Sequence, residues 1–342
     1  MMQAPFIHDS VLARFSLLVK ENRLAHAYLF AGPAYVGKSE TALSIAKLLD
    51  CEHPGPKKAC DACPSCVKIN NGNHPDVHLF EAISEEEEKK GLIRPQADEK
   101  GEKPKNREIR INQIRYLITQ AQLRPFEAKR KIFILKNVEE MSAPAANAFL
   151  KVLEEPTATT LFILTTAAEE KVFDTIQSRC QIVSFAAFVF AKLEETLVND
   201  YHIDKAAAHF LALFAEGNLG KARVLEEGKI FKRKNDIIDN FVLLGESERY
   251  LDSLVSDKEK TKEALDILYT WFRDLMLVKS GVEDLKLIHL DRAKDLKKLE
   301  GQYSLPQLED ALGEIVKTSK LLDDNLNLKV ALPLMKEKLW RR

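Results

Sequence analysis

Two constellations in this sequence combine residue types and spacing that could do chemistry. The first is Gly32-Pro33-Ala34-Tyr35-Val36-Gly37-Lys38-Ser39, which fits the phosphate-binding pattern G-x-x-x-x-G-K-[ST] at each fixed position. Its glycines let backbone N–H groups turn inward around phosphate oxygens, Lys38 supplies a point charge, and the Ser39 hydroxyl can reach a magnesium ion. Gly32, Gly37, Lys38 and Ser39 are therefore the expected nucleotide-binding residues, for ATP or ADP with Mg2+. The second is Cys51, Cys60, Cys63 and Cys66, spaced C-x8-C-x2-C-x2-C. Two overlapping C-x2-C steps let thiolates converge on one ion, and Cys51 closes the tetrahedron from a preceding turn. Four sulfur ligands leave no position for water, so the expected ion is a structural Zn2+. His74 and His78 lie close by in sequence and are read as loop histidines instead of ligands; Cys180 stands apart and is read as core.

Binding a nucleotide and cleaving it need different groups. Hydrolysis requires two carboxylates where the strand Ile132 to Leu135 ends, one to hold magnesium and one to orient water. The strand Ile132-Phe133-Ile134-Leu135 is followed here by Lys136 and Asn137. Lysine has no acceptor for a cation. Glu139 and Glu140 are the nearest substitutes, but Glu139 lies about 10 Å beyond Lys136 if the chain stays extended, and both are expected to face solvent at a helix start. Ser178-Arg179-Cys180 precedes the last strand. An arginine on such a turn can point outward at a neighbour's nucleotide, although its residue type alone reads as an ordinary surface group.

The elements that must carry these residues follow from periodicity. Ala27 to Ala31 reads as a buried strand feeding the phosphate loop, and Thr41 to Leu49 as the helix leaving it. Strands are also expected at Asp76–Phe80, Ile132–Leu135, Leu161–Thr165 and Gln181–Val183. Helices are expected at Ser10–Asn22, from Ile111 to before Pro125, at Ala145–Leu153 and near Asp174–Gln177. Short apolar strands alternating with helices predict an α/β domain with a parallel sheet covered on both faces, spanning 1–186. Within it, 51–66 is the zinc module. Residues 84–108, with Glu85 to Glu88, Lys89, Lys90 and four breakers, read as an exposed and mobile insertion. Lys129, Arg130 and Lys131 form a basic patch that leads into the strand Ile132–Leu135. Beyond Ala187 the pattern is helical throughout, read as a small unit over 187–228 and an all-α domain over 229–342.

Bulk properties narrow the class. A chain of 342 residues is long enough for two or three domains. Its 51 basic and 52 acidic residues give a net charge of -1, so no global field draws it to nucleic acid or anionic membrane. This argues against a freestanding nucleic-acid-binding protein. No basic-then-apolar leader is evident, the longest apolar run near Phe185 to Ala191 is too short for a bilayer span, and four cysteines are crowded into one segment. A cytoplasmic protein is expected.

Taken in order, several segments resemble the clamp-loader branch of the AAA+ ATPases, and within it the delta-prime subunits of bacterial DNA polymerase III. They are Leu24 to Phe30, the phosphate loop, the four cysteines, His74-Pro75-Asp76, Ile111 to Arg115, Asn147 to Pro156, and Ser178-Arg179-Cys180. The resemblance covers nearly the whole chain, though several of these motifs are shared with the motor subunits, gamma or tau. Motor subunits carry Asp-Glu where Lys136-Asn137 stands and a sensor arginine in the lid helix where Gly220 stands. Both departures point to the delta-prime type, and because many delta-prime subunits have lost the phosphate loop, its retention here leaves nucleotide binding open. The resemblance implies an AAA+ P-loop domain, a helical lid, and a collar that packs in a five-membered ring with gamma/tau and delta subunits. That ring loads the sliding clamp on primed DNA as part of the DNA polymerase III holoenzyme. It also implies that Arg179 is a finger acting in trans on a neighbouring motor site, that Thr165 and Thr166 hold a sensor position, and that this chain itself lacks ATPase activity. The alternative is an active motor subunit using Glu139 or Glu140.

Overall fold

Successive side chains along a strand point to opposite faces, and that alternation sets the N-terminal architecture. In the computed structural model, Leu29, Phe133, Leu135, Phe162 and Leu164 join one apolar layer with Phe80, Ile114, Leu117 and Phe149. Tyr28, Phe30, Ile132, Ile134, Leu161 and Ile163 join the other with Phe15, Ala42, Ile45 and Val183. Burying each large side chain contributes about 1.5–3 kcal/mol, so a strand apolar on both faces is stable only when helices cover both. The structure describes residues 8–55, 58–93, 107–243, 258–281 and 287–323, with Leu332, Met335 and Leu339.

The sheet comprises β1 (Ala27–Ala31), β2 (Val77–Phe80), β3 (Lys131–Leu135), β4 (Thr160–Thr166) and β5 (Gln181–Ser184) in the order β2-β3-β4-β1-β5. Each neighbouring pair is parallel, with Leu29 opposite Leu164 and Ile182, and Phe80 opposite Leu135. The helices of this unit are α1 (Asp9–Lys20), α2 (Lys38–Asp50), α3 (Pro64–Asn70), α4 (Glu85–Lys89), α5 (Ile111–Gln122), α6 (Ala143–Glu154) and α7 (Asp174–Gln177). Helices α1 and α2 cover one face, α5 and α6 the other.

The segment read as mobile has regular structure at its described ends. Ser84 and Glu87 form a reciprocal capping box on α4: Ser84 Oγ accepts from the Glu87 N–H at 3.3 Å, and the Glu87 carboxylate accepts from the Ser84 N–H at 2.7 Å. Arg107 pairs with Glu87 at 3.2 Å, and Ile83 bridges to Glu108. The run of four glutamates hides this S-x-x-E signal from a reading based on charge. Residues 94–106 of that segment lie outside those described. Lys131, grouped by sequence with a basic patch, is buried at the start of β3.

The chain divides into two compact units, Met1–Ala187 and Phe188–Arg342. The second is helical among its described residues: Phe190–Asn199, Lys205–Phe214, Leu219–Glu227, Ile230–Ile237 continuing into a π turn at Ile238–Leu243, Lys258–Lys279, Ala293–Leu299 and Leu305–Asp323. Gly217 (φ 76°) turns the chain where a Cβ would stand 2.3 Å from the Phe188 carbonyl oxygen, so only glycine fits. Among the described residues no helix is long and apolar enough to cross a membrane.

At the amino ends of the strands, fully buried Asp76 accepts hydrogen bonds from the N–H groups of Phe126, Glu127 and Ala128 at 2.8–2.9 Å. Desolvation pushes its carboxyl upward in pKa. The three N–H donors, with help from Lys131, outweigh that and hold it below the ordinary aspartate value. Asp76→Ala strands three donors and is expected to cost about 2–4 kcal/mol in urea unfolding. Because the folded pKa is depressed, the carboxylate's contribution is complete above the unfolded value of about 4 and is lost as pH falls through the folded one. The difference between wild type and variant is therefore expected to close in acid.

Candidate nucleotide site and metal centre

The phosphate loop leaves β1 through Gly32 (φ 149°), whose absent Cβ would stand 2.1 Å from the Phe185 carbonyl oxygen. It enters α2 through Gly37 (φ 88°), a left-handed N-cap. Between them Tyr35 is also left-handed (φ 61°) and exposed. The loop is braced by the residue that precedes α1: His8 Nε2 lies 2.9 Å from the Val36 carbonyl oxygen and the His8 N–H donates to Thr41 Oγ1. Sequence reasoning passed over His8, which belongs to no motif. Lys38 is buried, and its ammonium donates to the carbonyl oxygens of Gly32 at 2.6 Å and Pro33 at 2.5 Å. Burial pulls its pKa down to about 8, against the opposing pull of Glu139 and Glu40.

Lys38 and Ser39 open on a cavity of about 640 Å³ at the carboxyl ends of β1 to β4, where open α/β sheets bind ligands. Lys136, Asn137 and Thr165 line it, as expected from their strand-end positions. Lys136 forms an ion pair with Glu81. The parallel register that sets Phe80 opposite Leu135 places the next residue of each strand side by side. That register is the signal by which Glu81 could have been found.

The position of Glu139 differs from the expectation. The chain does not stay extended after β3: Asn137 adopts a left-handed conformation (φ 53°), which asparagine tolerates, and its N–H donates to Thr165 Oγ1 at 3.2 Å. A 3-10 turn at Val138–Glu140 then brings Glu139 back to the cavity, where its Oε1 accepts from the Ala167 N–H at 2.9 Å. Its Oε2 is buried and has no hydrogen-bond partner among the described residues. Glu139 therefore faces the phosphate loop, and Glu140 also lines the cavity. Thr166 is buried, its Oγ1 accepting from the Ala168 N–H at 3.1 Å.

Arg179 is at the opposite end of the strands from that cavity. It follows α7 and precedes β5, whose first residue, Gln181, pairs with Tyr28 near the amino end of β1. The length of a strand, about 13 Å, separates that level from the phosphate loop, so Arg179 does not serve its own chain's loop.

The four cysteines meet as spacing predicted. Their sulfurs all lie within 4.8 Å of one another, close to the separation of about 3.8 Å that tetrahedral zinc–thiolate bonds of 2.3 Å impose. Backbone N–H groups donate to three of the sulfurs, Cys60 N–H to Cys51, Cys63 N–H to Cys60 and Cys66 N–H to Cys63. Such bonds favour thiolate: the Cys60 pKa is lowered to about 6 by N–H groups of Ala62 and Cys63, whereas burial raises those of Cys51 and Cys66. The cluster can hold one metal ion. His74 is engaged elsewhere, its Nε2 3.0 Å from Asp50 and 3.3 Å from Glu127, while His78 stacks on Phe133. Cys180 packs against the core, its thiol pushed up to about 12 by burial.

A parallel α/β sheet with a phosphate-loop motif at its carboxyl edge, a four-thiol module and a helical second unit define an α/β protein of the P-loop type. Residues 7–189 match the sequence profile described as DNA polymerase III, delta subunit, and residues 229–337 match its C-terminal profile. The chain belongs to this family of clamp-loader subunits of DNA polymerase III. It is 28% identical over 321 residues to DNA polymerase III subunit delta' of Bacillus subtilis, covering 91% of this chain and 89% of that protein. It is 27% identical over 290 residues to subunit tau of the same organism, covering 76% of this chain and 47% of tau. A solved Thermotoga maritima protein described as DNA polymerase III gamma subunit-related is 20% identical, with a TM-score of 0.43 over 96% of this chain and 99% of that one.

Proposed function

We propose that this chain is a non-hydrolysing, delta-prime-type subunit of the bacterial clamp loader. In this reading its phosphate loop holds ATP or ADP structurally, and Arg179 acts in trans on a neighbouring gamma/tau motor site. The observation that carries the reading is the Lys136–Glu81 pair: a cation occupies the end of β3, where hydrolysis needs a carboxylate for the metal. The placement of Arg179 on the sheet edge away from its own loop supports the second half. Residues 187–228 then serve as lid and 229–342 as collar in a five-membered ring with gamma/tau and delta. That ring loads the sliding clamp on primed DNA in the cytoplasm. Glu139 favours a second reading, an active motor, because it is a carboxylate that lines the same cavity as Lys38 and Ser39.

Reconstitution separates the two. With Arg179→Ala in an otherwise wild-type ring, clamp-stimulated ATPase is expected to fall by about tenfold or more. The isolated chain is expected to show no turnover above background. Measurable turnover abolished by Lys38→Ala would establish the motor reading instead.

Nucleotide affinity carries its own signature. Phosphate beside the Lys38 ammonium favours the charged form and raises a pKa that starts at about 8. Binding thus takes up a proton above that pH, so affinity is full below it and declines as pH rises through it. Titration with fluorescent ADP is expected to give affinity weaker by about tenfold at about pH 9.5 than at about pH 7, and the dependence is expected to disappear in Lys38→Arg.

The ion of the cysteine cluster is, in this reading, zinc, bound by Cys51, Cys60, Cys63 and Cys66 and structural for want of an open position. Metal analysis is expected to find about one zinc per chain, falling sharply in Cys63→Ser with loss of thermal stability.

A further inference from the structure

The Arg179 side chain does not hang free. Its Nη1 donates to the Thr175 carbonyl oxygen at 2.9 Å and to Ser178 Oγ at 3.3 Å, and its Nη2 donates to Glu154 Oε1 at 2.6 Å. A guanidinium has five N–H donors. These contacts use three of them, leaving Nε–H and one Nη2 hydrogen for a further acceptor. Two donors on one rigid fork can engage phosphoryl oxygens in bidentate fashion. With the side chain about one-third exposed at 34%, the group is held and open at once.

Glu154 is an odd residue for its place. It is the last residue of α6, where the helix dipole disfavours a carboxylate by about 0.3–1 kcal/mol. The pair it makes is half in solvent, and such pairs contribute only about 0–1 kcal/mol to folding. Neither the helix nor the fold needs an acid there, whereas the guanidinium gains its strongest anchor from it. The other two contacts come from the residue's own turn and cannot by themselves fix the rotation of the fork. The anchor on α6 ties the fork instead to a helix packed on the central sheet.

We propose that Glu154 is a positioning residue for Arg179: it fixes the guanidinium plane so that the remaining two donors face the nucleotide phosphates of an adjacent subunit. This rests on the trans-acting reading of Arg179, and the test separates the two.

The readout is steady-state ATPase of the reconstituted ring carrying Arg179→Ala, Glu154→Gln, or both. Glu154→Gln is expected to lower kcat by about fivefold with KM within about twofold, since orientation matters in the transition state more than in binding. In the Arg179→Ala background it is expected to add less than about twofold, because residues acting as one unit are non-additive. Glu154→Asp, which keeps the charge, is expected to retain more activity than Glu154→Gln, and the Tm of each isolated variant to stay near wild type. An Arg179→Ala ring with unchanged ATPase overturns the trans-acting reading and this proposal with it. A defective Arg179→Ala ring with an unaffected Glu154→Gln ring overturns the positioning role alone. So does a Glu154→Gln defect that multiplies independently with Arg179→Ala.

Discussion

The placement of β1 between β4 and β5 is the constraint on which the functional layout depends. Its parallel registers, Leu29 opposite Leu164 and Ile182, tie the edge strand β5 to the rest of the sheet and set two ends that face away from each other. At the carboxyl end the chain must turn at Gly32 against the Phe185 carbonyl, and the loop, Lys38 and the β4 residue Thr165 converge on one cavity. At the amino end the turn into β5 leaves Arg179 at the sheet's edge. A register slip in β5 would move both, because Phe185 closes over Gly32 at one end of that strand while Arg179 precedes it at the other.

Charge in the cavity is arranged as pairs. Lys136 is matched by Glu81, Arg107 by Glu87, and Lys38 feels Glu139 and Glu40. An unpaired lysine in that space would repel magnesium outright, as the residue type alone suggests. Pairing with Glu81 removes most of that repulsion but supplies no free carboxylate, since the acid is occupied by the ammonium. The end of β3 itself consequently offers no carboxylate to a metal, and the acids that line the cavity, Glu40, Glu81, Glu139 and Glu140, come from other segments.

Much of this was legible in the sequence because it depends on local spacing. The alternation of Phe133, Leu135 and Ile132, Ile134 specified a strand buried on both faces. The G-x-x-x-x-G-K-S pattern specified strand, loop and helix together. The cysteine steps specified a convergent cluster, and the described structure gathers the four sulfurs. What was not legible depends on tertiary pairing: Glu81 becomes Lys136's partner only through the β2–β3 register, and His8 braces the loop from the position before α1, with no motif of its own. The capping box at Ser84 was visible but outweighed by the acidic run around it.

Glu139 shows why distance along the chain is a poor guide to distance in space. Extended geometry puts it about 10 Å beyond Lys136, yet one left-handed residue and a single 3-10 turn fold it back over the loop. Asparagine is among the few residues that take that conformation at small cost, so Asn137 does two things at once. It presents no carboxylate at the end of β3, and its backbone returns one from two residues later, anchored to the Ala167 N–H. That anchor fills one oxygen of Glu139 and fixes the direction of the other. A carboxylate so held adds to the charge beside Lys38 and favours its ammonium form. Compensation for the buried lysine is thus an adequate physical reason for Glu139 to be there, independent of any part in cleaving a nucleotide.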